Sequence, residues 1–150
     1  MVYQNVCVGG TFDFLHKGHR ALLEKAFEIG ENVVIGLSSE KLAEEKQARR
    51  FEKRLEELTD YLIDNQLEER CRIEIIDDFI GPAVSPELEA IVVTQETRNN
   101  AERINKGRAK RQLNPLKIIE IPLVLADNGE PVSSTAIRRG IMDREGKVSY

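Results

Sequence analysis

Both histidines of the chain stand in one short stretch, VGGTFDFLHKGH, which runs from Val8 to His19. Gly9 and Gly10 let the backbone pass close to a bulky ligand, because no side chain intervenes. The residues after them read as a helix, whose first N–H groups have no partner within it. Such a terminus favours anions by about 0.3–1 kcal/mol when exposed and up to about 2 kcal/mol when partly buried. Gly18 keeps the approach clear. His16 and His19 are one helical turn apart, so their imidazoles can face the same side. Thr11 adds a hydroxyl that donates or accepts. A phosphate bound here would meet backbone amides, a hydroxyl and two rings. The competing chemistry is metal chelation by the histidine pair, but only Asp13 is at hand as a further ligand. Asp13 is better suited to orienting the loop or capping the helix.

A second group of the same kind lies near the C-terminus, in VSSTAIRRG, from Val132 to Gly140. Ser133 or Ser134 at a helix start supplies hydroxyls and amides. Thr135 adds another hydroxyl, and Arg138 a fork of donors with permanent charge. Taken alone, such a run is an ordinary N-cap.

The surrounding pattern alternates strands and helices. Apolar or β-branched runs at 5–8, 32–37, 72–76, 90–94 and 116–121 read as strands. Helical spacing marks 17–29, with Gly30 as its stop, then 40–46 after Ser38 and Ser39, 51–65, and 96–111, whose far end Gly107 weakens. Gly81-Pro82 and Ser85-Pro86 mark a loop that can hold a short turn. Asp127-Asn128-Gly129 is a turn, and Ser133 opens a final helix of roughly two turns. The pattern predicts an α/β fold: one Rossmann-like, doubly wound domain over residues 1–150, with a mainly parallel sheet flanked by helices. In such sheets ligands collect at the C-terminal ends of the strands, where the strand order reverses. The loop after the first strand is the histidine stretch.

The net charge of −4 gives no general affinity for polyanions. Basic residues concentrate in 98–111, where six of them stand against one acid, while acids dominate 56–89. No Phe, Tyr or Trp interleaves the basic stretch, so stacking on nucleic-acid bases is poorly provided for and no nucleic-acid partner is expected. Two cysteines, with no visible secretion signal, point to a reducing, cytoplasmic setting without a disulfide framework. No window approaches eighteen apolar residues, so no membrane partner is expected.

The two motifs together resemble the signature of the nucleotidylyltransferase superfamily, a Gly-Thr-Phe-Asp turn with His-x-Gly-His, followed late in the chain by Ser-Ser-Thr-x-Ile-Arg. The blocks VVTQET at 92–97, INKGR at 104–108 and PLKI at 115–118 further resemble archaeal-type phosphopantetheine adenylyltransferases. Thr94, Gln95 and the RNNAERI run depart from the commoner family residues.

The resemblance implies adenylyl transfer from ATP to 4'-phosphopantetheine, by in-line attack of the acceptor phosphate on the ATP α-phosphate without a covalent enzyme intermediate. Acceptors of sister enzymes (FMN, glycerol 3-phosphate, nicotinamide mononucleotide) are the alternative. It assigns catalysis to His19, His16, Thr11 and Lys46. It assigns ATP binding to Gly9, Gly10, Thr11, Phe12, His16, Gly18, His19, Arg108, Ser133, Ser134 and Thr135. Thr11, Lys46 and Arg54 would meet the acceptor. Lys41, Arg49 and Arg50 rival Lys46. Arg54 could instead pair with Glu57 on an exposed helix face, and Arg108 could be a surface charge. Mg²⁺ is expected on the ATP phosphates, with no protein metal site, and the chain is expected as a monomer or small homo-oligomer.

Overall fold

The computed structural model describes residues 2–78 and 82–149. The apolar run around Val6–Val8 seats the first strand, β1 (Tyr3–Gly10), at the centre of a five-stranded sheet. The others are β2 (Gly30–Ser38), β3 (Cys71–Ile76), β4 (Ala90–Val93) and β5 (Lys117–Glu120), in the order β3-β2-β1-β4-β5. Every adjacent pair is parallel. The helices are α1 (Lys17–Ile29), α2 (Glu40–Glu44), α3 (Phe51–Asp64), α4 (Arg98–Lys110) and α5 (Ser134–Arg138). The expected doubly wound α/β architecture is therefore present. None of these helices, among the described residues, is long and apolar enough to cross a membrane.

Alternation along the strands divides the core in two. Val6, Val8, Val33 and Ile35 face Leu23, Ala26 and Phe27 of α1 and Leu58 and Leu62 of α3. Cys7, Val34, Ile91 and Val93 face Ala101 and Ile104 of α4 on the opposite side. A strand buried on both faces reads as a continuous apolar run, as β2 and β4 do. The strand order reverses at β1, which has β2 on one side and β4 on the other. A crevice opens there, at the C-terminal ends of the strands, and the histidine loop borders it. A satellite cluster of Ala126, Val132 and Met142 supports the segment that carries α5.

Some expected boundaries shift. The helix over 40–46 ends at Glu44, which leaves Lys46 in a turn. Ser39, not Ser38, caps it, its hydroxyl accepting from Leu42 N at 3.2 Å. The helix over 96–111 begins at Arg98, because Thr97 Oγ1 accepts from Thr94 N at 3.1 Å and holds the preceding residues in a turn. Gly107 is buried inside α4, which continues past it to Lys110. The loop at 81–86 holds a single 3-10 turn, Pro82–Val84, and Gly81 lies outside the described residues.

Gly30 ends α1, but not as a left-handed cap: its backbone is extended at φ −118° and ψ 139°, and the chain passes directly into β2. Glycine is needed for space. A Cβ at Gly30 would lie 2.5 Å from Val6 Cγ2 and 3.2 Å from the Ala26 carbonyl. Gly30→Ala should therefore destabilise the fold by about 1–3 kcal/mol, the usual range for overpacking, measured as a lowered midpoint in chemical denaturation.

Candidate active site

The start of α1 is built from its two histidines. His16 is the N-cap, and its Nδ1 accepts from Gly18 N at 3.1 Å and His19 N at 3.3 Å. In return His19 Nδ1 accepts from His16 N at 3.2 Å. This is a reciprocal capping box made of imidazoles, and it requires the spacing of three. The rings stack with centroids 3.6 Å apart, tilted by 16°. Gly18 eases the packing of this turn, since a Cβ there would lie 3.0 Å from His16 Cε1 and 3.1 Å from Nδ1 and would press on the ring. Lys17 N donates to the Arg144 carbonyl at 2.8 Å.

The helix start is thus not the open anion site expected from sequence. Its amides at 17, 18 and 19 already have protein acceptors. What faces outward instead is ring N–H. Each Nδ1 is an acceptor, so each neutral ring carries its hydrogen on Nε2. Burial, with the charges of Arg20 and Arg144, lowers the pKa of His16 from 6.5 to about 4, although Asp13 opposes this. Burial, with His16 and Arg20 beside it, holds His19 well below 6.5. Both rings are neutral at pH 7.

The loop before them is held under strain. Phe12 and Phe14 have φ of 52° and 50°, a left-handed conformation that costs a bulky residue about 1–2 kcal/mol. Phe12 is fully buried in the core and packs against His19, with ring centroids 5.2 Å apart. Phe14 lies under the guanidiniums of Arg49, at 3.9 Å, and Arg144, at 5.5 Å. Between them Asp13 is only 1% exposed. Its carboxylate accepts from Arg49 Nε at 2.8 Å and Arg138 Nη2 at 3.1 Å. Ser134 Oγ donates to the Asp13 carbonyl at 2.7 Å. The two motifs, far apart in sequence, are bolted together through this one residue.

The resulting polar cleft is lined by Gly9, Gly10, Thr11, Phe12, His16, Gly18, His19, Lys46, Ser133, Ser134 and Thr135, together with Asp13, Thr94 and Arg138. Thr11 Oγ1 donates to Ser38 Oγ at 3.3 Å. Ser133 caps α5, its hydroxyl accepting from Ala136 N at 3.1 Å, while bordering the cleft, so the capping and cleft-lining readings both hold. A second, mainly apolar cleft runs along the other face of the sheet, past Val34, Gly36, Ile76, Leu88, Ile91 and Ile104. The two share Gly9, Gly10, Lys46 and Thr97. Of the rivals to Lys46, Arg49 is committed to Asp13 and Glu57, and Lys41 and Arg50 border neither cleft.

Two of the expected site residues are elsewhere. Arg108, expected at the ATP phosphates or as a surface charge, is buried and borders neither cleft. It is 1% exposed, and its guanidinium donates to the carbonyls of Asn114 (2.7 Å), Ala83 (2.8 Å), Ser85 (2.9 Å) and Leu88 (3.3 Å). Asn105, one turn earlier, exchanges two hydrogen bonds with the backbone of Leu116. The INKGR block is a brace between α4, the loop before β4 and the lead-in to β5. Arg54 is likewise fully buried, donating to the carbonyls of Thr11 and Ser38, both at 2.9 Å, and of Arg49 at 2.8 Å. It borders neither cleft and does not pair with Glu57. Glu57, expected only as a surface partner for Arg54, pairs instead with Arg49 and Arg144, and Arg144 was not anticipated from sequence. The signal of Glu57 is only a carboxylate on a helix rich in them.

Among the described residues no group of three or more His, Cys, Asp or Glu could hold a metal ion. Asp13, the carboxylate of the loop, is already taken by two arginines.

The cytidylyltransferase-like family matches residues 7–140, and the sheet order, the histidine-capped helix and the Ser-Ser-Thr helix facing it make the chain a member of that family. Within it the chain belongs with the archaeal phosphopantetheine adenylyltransferases. It is 45% identical to the phosphopantetheine adenylyltransferase of Pyrococcus furiosus, over 96% of this chain and 92% of that one. It is 40% identical to that of Methanosarcina acetivorans, over 95% and 94%. Among solved structures it resembles a protein of unknown function from Archaeoglobus fulgidus, with a TM-score of 0.69 and 27% identity over 79% of this chain and 89% of that one.

Two outcomes check this geometry. Arg108→Met should destabilise the protein by about 3 kcal/mol, since it strands several buried carbonyls. It should leave the ATP dissociation constant within about twofold; a large loss of ATP affinity from folded protein would return Arg108 to the nucleotide. In ¹⁵N spectra of the ligand-free protein both histidine rings should be neutral Nε2–H tautomers at pH 6–8, with His16 titrating near pH 4. The sign for stability follows. The folded pKa lies below the unfolded value of 6.5, so the stabilisation is full above pH 6.5 and is lost as pH falls towards about 4.

Proposed function

We propose that the chain transfers the adenylyl group of ATP to 4'-phosphopantetheine, giving dephospho-coenzyme A and pyrophosphate. An oxygen of the acceptor phosphate attacks the α-phosphorus in line. A P–O bond forms there as the bond from the α-phosphorus to the bridging oxygen breaks, and pyrophosphate leaves. The transfer is direct, with no side chain adenylylated on the way. The named relatives support this reaction, and one observation favours its acceptor. The polar cleft opens into an apolar one at Gly9-Gly10 and Lys46. A phosphate carrying a long, slender arm uses both halves. Glycerol 3-phosphate would leave the apolar half empty.

In this reading the Nε2–H groups of His16 and His19 donate to the ATP phosphates, with His19 the main donor to the α-phosphate oxygens in the transition state. Thr11 and Lys46 hold the acceptor phosphate at the junction of the clefts. Gly9 and Gly10 let it approach, and Ser133, Ser134 and Thr135 close the nucleotide side. Positioning of this kind is worth about 7–11 kcal/mol of barrier. Mg²⁺ would be carried by the nucleotide phosphates, where it supplies charge neutralisation. We take the chain to work in the cytoplasm as one domain, a monomer or small homo-oligomer.

The test is pyrophosphate release from Mg-ATP, and separately Mg-CTP, with 4'-phosphopantetheine, FMN, glycerol 3-phosphate or nicotinamide mononucleotide. Release is expected only with ATP and 4'-phosphopantetheine, and His19→Ala should lower kcat by about 10²–10³-fold, as loss of one preorganised donor does. Turnover with another acceptor alone would replace phosphopantetheine, and release independent of His19 would overturn the role of the rings.

A further inference from the structure

Glu57 lies on α3, borders neither cleft and belongs to no motif, yet both ends of the histidine loop depend on it. Its carboxylate takes hydrogen bonds from two forks. Arg49 donates from Nη1 and Nη2 at 3.0 and 2.8 Å. Arg144 donates from Nη1 and Nη2, each at 3.1 Å. Each carboxylate oxygen thus accepts once from each guanidinium, an arrangement that fixes both planes. Burial would push the carboxyl pKa up, but these bonds hold it down at about 2, so Glu57 is ionised throughout the working range.

The consequence reaches the loop by two routes. With its terminal nitrogens held by Glu57, Arg49 directs Nε at Asp13 (2.8 Å) and lays its guanidinium on Phe14 (3.9 Å). With its fork held by Glu57, Arg144 presents its carbonyl to Lys17 N, the first amide of α1 (2.8 Å). Phe14 and Lys17 bracket His16. Because the loop holds Phe12 and Phe14 in the left-handed region, it needs external contacts to keep its shape.

We propose that Glu57 is a positioning residue for the reaction: by locking Arg49 and Arg144 it holds the histidine pair in its capped, Nε2–H arrangement. It touches no substrate and acts only through the loop. This rests on the adenylyl-transfer reading for its kinetic consequence but not for its structural one.

The experiment compares Glu57→Gln with Glu56→Gln, an exposed neighbour on the same helix. Three quantities are read: the denaturation midpoint, the ¹⁵N tautomer state of the two rings in ligand-free protein, and kcat and KM for Mg-ATP. Glu57→Gln should fold, lose the single Nε2–H tautomer of His16 at pH 7, and lower kcat by about 10–100-fold, as a misplaced group does. Its KM should stay within about threefold, and Glu56→Gln should match wild type. Wild-type ring spectra with kcat within twofold, whatever the midpoint, would overturn the proposal. Should Glu57→Gln fail to fold, Arg144→Lys keeps the charge but removes the fork, and the same outcomes decide. If the wild-type protein releases no pyrophosphate, the adenylyl-transfer reading fails, and the ring spectra still decide the positioning role.

Discussion

The carboxylate of Asp13 is buried in the loop that joins β1 to α1, and a buried charge must be matched where it stands. Two arginines match it, Arg49 from the lead-in to α3 and Arg138 from α5. Removing one partner of such a group commonly costs about 3–5 kcal/mol. That penalty is what draws together segments that sequence separates by more than a hundred residues. Ser134 fixes the carbonyl of the same residue. Once Asp13 is paired, the Ser-Ser-Thr helix faces the histidines across a cleft. Without that pairing the two motifs would be two unrelated helix starts.

The sheet beneath is held by a second device, used once on each face. Arg54 ties together the carbonyls of Thr11, Ser38 and Arg49, where β1 and β2 end. Arg108 ties together the carbonyls of Ala83, Ser85, Leu88 and Asn114, around β4 and the approach to β5. Among the described residues neither has a carboxylate within ion-pair distance. Each guanidinium is instead satisfied mainly by backbone carbonyls, Arg54 beside the histidine cleft and Arg108 beside the apolar one. Both brace the strand ends through these carbonyls. Burial lowers the pKa of both, yet an arginine stays protonated.

Much of this was legible in the residues. Strand and helix alternation predicted the doubly wound sheet, because each element buries a face whose period is set by its own geometry. The Gly-Gly, His-x-x-His and Ser-Ser-Thr positions all reached one cleft, since short motifs at strand ends travel with the backbone. Arg54 and Arg108 did not, because an arginine in a helix looks the same whether its fork meets a phosphate or a cluster of carbonyls. Only three-dimensional burial separates those cases. Glu57 was visible only as a neighbour of Arg54 on one helix; its actual partners, Arg49 and Arg144, lie far apart along the chain, so nothing local marks the pairing. Gly30 was read correctly as a boundary but for the wrong cause, because the Val6 side chain that excludes a Cβ belongs to another strand.

The histidine pair also changes what a helix N-terminus can do. Amides aimed straight at a phosphate would offer fixed donors at the end of a macrodipole. Here the amides of Gly18 and His19 are spent on His16 Nδ1, and that of His16 on His19 Nδ1. A ring that accepts at one nitrogen becomes a better donor at the other, since hydrogen bonds in series polarise one another. The polarisation is therefore passed through the rings to their Nε2–H groups, on residues that line the cleft. The same bonds keep the rings neutral by stabilising the acceptor form of Nδ1, in addition to burial. In the proposed reaction such a neutral, rigid donor would need no proton rearrangement as charge builds on a phosphate oxygen, so its stabilisation would grow with that charge and favour the transition state over the bound nucleotide.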